Sequence, residues 1–135
     1  MSKDLIILAA IAGLAIFFFI LFFLVYLKYW GIRLVFGNRT EDPPIVPWAP
    51  RAIRTHDNMV GSLAHFGIIV LVAHMLGITN TMTVNCVFIF FICRILHAII
   101  FIAGIPWIRC FPYMIALGAE IVILAQIFLY WWAKN

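Results

Sequence analysis

Of 135 residues, 67% are hydrophobic and 10% charged, and the net charge is +4. The charged share lies far below the roughly 25% of a soluble domain, so a soluble enzyme is excluded. The positive charge sits beside long apolar runs rather than on a soluble face, which argues against nucleic acid as a partner.

A bilayer core about 30 Å thick takes roughly 20 apolar residues per helical span. Four stretches meet or approach that length, at about 5–29, 59–76, 83–105 and 111–132. The fold class expected is all-α, a transmembrane four-helix bundle, with residues 1–135 forming a single transmembrane domain. The first stretch is too long for the apolar core of a signal peptide and has no small-residue cleavage site after it, so it reads as a retained helix. A connection of about 30–50 follows. Within it Pro43, Pro44, Pro47 and Pro50 forbid a continuous helix. Pro50 stands where a helix can begin, since its missing N–H costs nothing in the first turn. The later connections, Gly77 to Thr81 and Gly104 to Phe111, are short, which makes neighbouring helices antiparallel.

Lys28, Arg33, Arg39, Arg51 and Arg54 lie in or beside the first connection and Arg109 in the third, whereas Lys3 and Lys134 mark the opposite side. By the positive-inside rule the 30–50 loop is cytoplasmic. The chain is then an integral, multi-pass membrane protein with both termini outside the cytoplasm. Tyr130, Trp131 and Trp132 suit an aromatic belt at the outer boundary. Cys86 and Cys93 share a face of the third span and read as small core residues. No cysteine or histidine spacing gives a metal signature.

Polar residues inside such a chain carry the functional information. Arg51, Arg54, Asn58 and His65 fall within about 60° of one helical face. Two readings are open for Arg51 and Arg54: anchors to lipid phosphates, or ligands for an anion. In the third span Arg94 stands near the middle of the apolar run, with His97 one turn further on the same face. An arginine at that depth costs at least about 2.5–3.5 kcal/mol and needs a partner in the bundle interior. Glu120, mid-way along the fourth span, is the expected partner, and an Arg94–Glu120 ion pair serves structure or function equally. Arg109 opens the fourth helix, with Tyr113 one turn later. Guanidinium groups bind carboxylates and phosphates through two bonds at once. Three arginines at one membrane boundary suit an anionic, water-soluble ligand held beside a lipid-soluble one.

The segment RAIRTHDN, Arg51 to Asn58, resembles the signature of the MAPEG family, the membrane-associated proteins of eicosanoid and glutathione metabolism, which reads approximately R-A-x-R-A-H-x-N-x-x-E. Arg94 and His97 keep the R-x-x-H spacing of its prostaglandin E synthase branch, and Arg109 with Tyr113 matches a third element. The resemblance implies a four-helix bundle, usually a homotrimer, with glutathione bound between subunits. It places Arg51, Arg54, Asn58, His97 and Tyr113 on the tripeptide and gives Arg109 the catalytic task of stabilising its thiolate. A fixed cation turns a thiol of pKa near 8.5 into a better nucleophile. The electrophile is then a lipophilic small molecule or hydroperoxide arriving from membrane lipid.

Three departures from the family pattern stand out. Gly61 occupies the glutamate position, Asp57 stands where the prostaglandin synthase branch has an arginine, and Phe101 replaces a tyrosine. The first removes a partner for the ligand's ammonium group. The second adds repulsion toward its carboxylates. The leading expectation is a glutathione-dependent transferase or peroxidase. The alternative is a non-catalytic, lipid-binding or accessory subunit of a larger membrane complex, a role the fold also serves in this family. Ion or proton transport through Arg94, His97 and Glu120 is the third class, and no chain of polar groups across the membrane supports it.

Overall fold

The computed structural model describes residues 2–38 and 46–135. It contains four helices: α1 (Lys3–Phe36), α2 (Ala49–Met75), α3 (Thr81–Ala103) and α4 (Cys110–Lys134). All four are long and apolar enough to cross a membrane, and the protein is an integral, multi-pass membrane protein. Arg39, Pro43, Pro44 and the centre of the 30–50 connection lie outside the described residues.

Each helix stops where its sequence supplies a stop. α1 runs past Tyr29 and breaks at Gly31, whose φ of 71° is open to glycine and strained for other residues, before a last short piece ending at Phe36. α2 begins with a proline in its first turn, which the unpaired N–H positions there tolerate. Asn80 caps α3, its side-chain oxygen accepting from the Thr83 N–H at 2.9 Å. α3 ends on Gly104 at φ 79°. There the Gly104 and Ile105 N–H groups return to the carbonyls of Phe101 and Ile100 at 3.0 and 3.2 Å, a Schellman closure.

The helices run up, down, up, down. α2 and α3 touch each other and both outer helices, whereas α1 and α4 do not meet. Buried positions on α2 recur every three or four residues: Ala52, Thr55, Met59, Ser62, Phe66, Val70 and Ala73. On α3 the corresponding set includes Cys86, Phe90, Cys93, Arg94, His97 and Phe101. Phe66 and Phe90 stack face to face with centroids 3.6 Å apart and join α2 to α3 at mid-depth. The interior is no more apolar than the outside, where Ile68, Leu71, Phe88 and Ile89 are exposed. That is the expected pattern in lipid, where apolar side chains gain little by leaving the surface and helices associate through close packing and polar contacts.

Two ends of the bundle differ in chemistry. The end that carries both termini holds Asp4, bonded to His74 Nδ1 at 2.9 Å, and Asn80, which donates to Gln126 at 2.8 Å. The opposite end gathers Arg51, Arg54 and Arg109, with Arg94 deeper inside.

Candidate functional site

Helix ends and helix faces bring the polar residues of the arginine end together. Arg51 projects from the first turn of α2 and donates from Nε to the Ile102 carbonyl at 3.0 Å. The free carbonyls that end α3 thus receive a cation, which is the favourable charge for a helix C-terminus. The glycine at 104 leaves room for this contact, since a Cβ there would lie 3.1 Å from Arg51 Cζ. Arg109, at the N-cap of α4, lays its guanidinium over the Phe101 ring at 4.1 Å. Phe101 is therefore a platform for Arg109.

Deeper in the bundle, Arg94 is 1% exposed. Its Nη2 donates to the Asn58 carbonyl at 2.6 Å, while its Nε is buried without a hydrogen-bond partner. The same guanidinium lies 5.6 Å from the centre of the Tyr113 ring. His97 is buried against Phe101 and Tyr113, with ring centres 5.6 and 5.8 Å away. Arg94, His97, Arg109 and Tyr113 thus form one cluster between α3 and α4. Arg54 and Asn58 lie on the exposed strip of α2 that also carries His65.

The Arg94–Glu120 ion pair expected from the sequence is not formed. Glu120 instead shares a hydrogen bond with Nδ1 of His65 across the α2–α4 groove, and Arg94 is turned to the Asn58 carbonyl. The sequence places His65 on the polar stripe of α2 without a partner, and the approach of α4 supplies one. The physical reason is geometric: α2 touches both α3 and α4, so its own polar groups reach each charge first. Among the described residues, the ion pairs are His56–Asp57, His65–Glu120 and His74–Asp4. Hence Arg51, Arg54, Arg94 and Arg109 have no carboxylate partner there, and Asp57 is drawn to His56 at 3.6 Å.

Four uncompensated guanidinium groups on three neighbouring helices can bind an anion with two or more charged ends. A four-span, all-α membrane protein with arginines from three helices gathered toward one end is the class that this fold defines. The MAPEG family model matches residues 6–129, nearly the whole chain, and the protein belongs to that family. Comparison with curated proteins and with solved structures gave no match.

Proposed function

We propose that this protein is a glutathione-dependent transferase or peroxidase acting on a lipophilic electrophile. The observation that carries the reading is that Arg51, Arg54, Arg94 and Arg109 have no carboxylate partner among the described residues, three of them at one end of a MAPEG-family bundle and Arg94 deeper inside. Glutathione carries two carboxylates, and such a cluster supplies the complementary charge. Arg54, Asn58, Tyr113 and the outer nitrogens of Arg51 would hold the tripeptide, with His97 setting the wall behind Tyr113. Arg109 is fixed on Phe101, so its positive field is preorganised for a thiolate. Bound glutathione would supply the sulfur nucleophile, which either adds to an electrophilic carbon or attacks the outer oxygen of a hydroperoxide. In the second case the O–O bond breaks, the alcohol leaves with a proton, and the sulfenic acid formed is reduced by a second glutathione to the disulfide and water. Exposed apolar helix faces give a lipid-soluble electrophile access from the bilayer.

On the same reading the arginine end faces the cytoplasm and both termini lie outside, in line with the positive-inside rule. The working unit is a homotrimer, in which a neighbouring copy covers the exposed strip of Arg54, Asn58 and His65.

A lipid-binding accessory role is favoured by one other feature. A cavity of about 630 Å³ at the terminal end is lined by Leu76, Ile127, Phe128, Tyr130 and Trp131, and it is large enough for part of an acyl chain. Calorimetric titration with glutathione in detergent, paired with ultraviolet absorbance for the thiolate, tests the choice. Binding with a thiolate signal supports the enzyme. Neither signal at millimolar glutathione, from folded protein, overturns it in favour of the lipid-binding role.

A further inference from the structure

At the end of the bundle opposite the arginines, α4 runs on past the α2–α3 turn. Asn80, the last residue of that turn, caps α3 with its side-chain oxygen and donates from Nδ2 to the Gln126 side chain at 2.8 Å. The cap fixes Asn80, and Asn80 in turn ties the turn to α4. Residues 127–134 of α4 continue past that tie, roughly 12 Å of helix. Between them and Leu76 at the end of α2 lies the cavity of about 630 Å³, walled by Ile127, Phe128, Tyr130 and Trp131. Lys134 is the one charged side chain on its wall.

Lys134 decides what suits this space. Its ammonium lies over the Tyr130 ring, 4.6 Å from the centre, so the side chain folds back along α4 to the ring that walls the cavity. A ring face attracts a cation but leaves the ammonium donors free for an acceptor. Among the described residues no carboxylate pairs with Lys134. Asp4, the side-chain carboxylate at this end, is buried and bonded to His74. An apolar chamber with an unneutralised cation on its wall is complementary to an anionic amphiphile. Trp131 and Trp132 are 58% and 76% exposed, and exposed tryptophans at the end of a span sit at headgroup level. At that level of a bilayer the abundant anion is a phosphodiester.

We propose that the terminal end of α4 is a phospholipid site, which takes one acyl chain of an anionic lipid into the cavity and its phosphate onto Lys134. The volume agrees. At about 30 Å³ for each water-sized group such as a methylene, the cavity holds roughly twenty, one chain of ordinary length. The second chain stays in the bilayer against the exposed Leu129 and Trp132. A zwitterionic headgroup would bring its own ammonium toward Lys134 with no free carboxylate there to receive it, so an anionic headgroup is preferred. This site builds on the acyl cavity named above and is compatible with either function, because the arginines lie at the other end of the bundle.

The test is native mass spectrometry of the full chain from mild detergent with phosphatidylglycerol, phosphatidylcholine or a free fatty acid, matched in chain length. Wild-type protein should retain phosphatidylglycerol about fivefold more than phosphatidylcholine, the weight of one lysine beside an anionic headgroup. Lys134→Gln should remove that preference by lowering phosphatidylglycerol alone, and Lys134→Arg should keep it. Ile127→Trp, which fills the cavity, should lower retention of both phospholipids. Equal retention by the wild type, or a preference that survives Lys134→Gln, overturns the site. A fatty acid held above both phospholipids overturns the phosphodiester assignment, and so does retention of no lipid at all. Lys134 is exposed in the last turn of α4, so its variants keep the bundle intact. Glutathione calorimetry on Lys134→Gln should match the wild type, which separates failure of the lipid site from failure of the enzyme reading.

Discussion

His65 on α2 and Glu120 on α4 share a hydrogen bond near the middle of their helices, and through it two helices that are not consecutive in the chain are tied together. His65 is half-exposed whereas Glu120 is 5% exposed. The bond therefore satisfies a buried acceptor with a donor drawn from the surface. A buried carboxylate that loses its donor retains the full cost of desolvation.

Removal of this bond gives the first prediction. His65→Leu should destabilise the protein by about 1–3 kcal/mol, read as a lower Tm in detergent. Glu120→Leu should cost less once His65 is already gone. A double-mutant cycle should show stronger coupling for His65 with Glu120 than for Arg94 with Glu120. The reverse order would mean that the carboxylate answers to Arg94 after all.

Gly104 carries the second prediction. Its φ of 79° and the approach of Arg51 to within 3.1 Å of a would-be Cβ both penalise a side chain. Gly104→Ala should cost about 1–2 kcal/mol from the left-handed backbone alone. It should also displace Arg51 from the Ile102 carbonyl. Arg51→Ala in the Gly104→Ala background should then add little to the loss of Tm; full additivity would show that the two sites are independent.

Orientation in the membrane is the third. A cysteine placed at position 48, just before α2, should react with a membrane-impermeant maleimide only from the cytoplasmic face, and one at position 135 only from outside. Labelling of position 48 from outside alone would reverse the topology and leave the four spans intact.

The fourth concerns the thiolate. On the proposed reading, Arg109→Leu should abolish the ultraviolet thiolate signal on adding glutathione yet leave measurable binding, because the other arginines would still hold the peptide's carboxylates. Arg54→Leu should weaken binding first. Gly61→Glu has open space in this chain, with nothing within 4 Å of its Cβ, and should tighten binding. A variant lacking Arg109 that still gives a full thiolate signal would remove that residue from its proposed role.

Sequence alone determined the membrane class, the four spans and their antiparallel order, because apolar run length and loop length act locally and need no partner. It also marked Arg51, Arg54, Arg94 and Arg109, since a guanidinium in or beside a span is costly wherever the chain folds. The extension of α1 past Tyr29 to a break at Gly31 was less legible. Aromatic and basic residues at a membrane boundary mark the interface, not the last turn of a helix.

Tertiary structure decided the partners. The cost of a charge in lipid turns Arg94 and Glu120 toward the bundle interior, but it carries no information about which neighbour arrives first. Packing of α2 against both α3 and α4 gave Arg94 to the Asn58 carbonyl and Glu120 to His65. Packing of α4 against α3 set Arg109 on Phe101, and packing of α2 against α3 set Arg51 on the end of α3. A charge buried in low dielectric takes the partner that geometry brings within hydrogen-bond reach, and that reach depends on how helices pack.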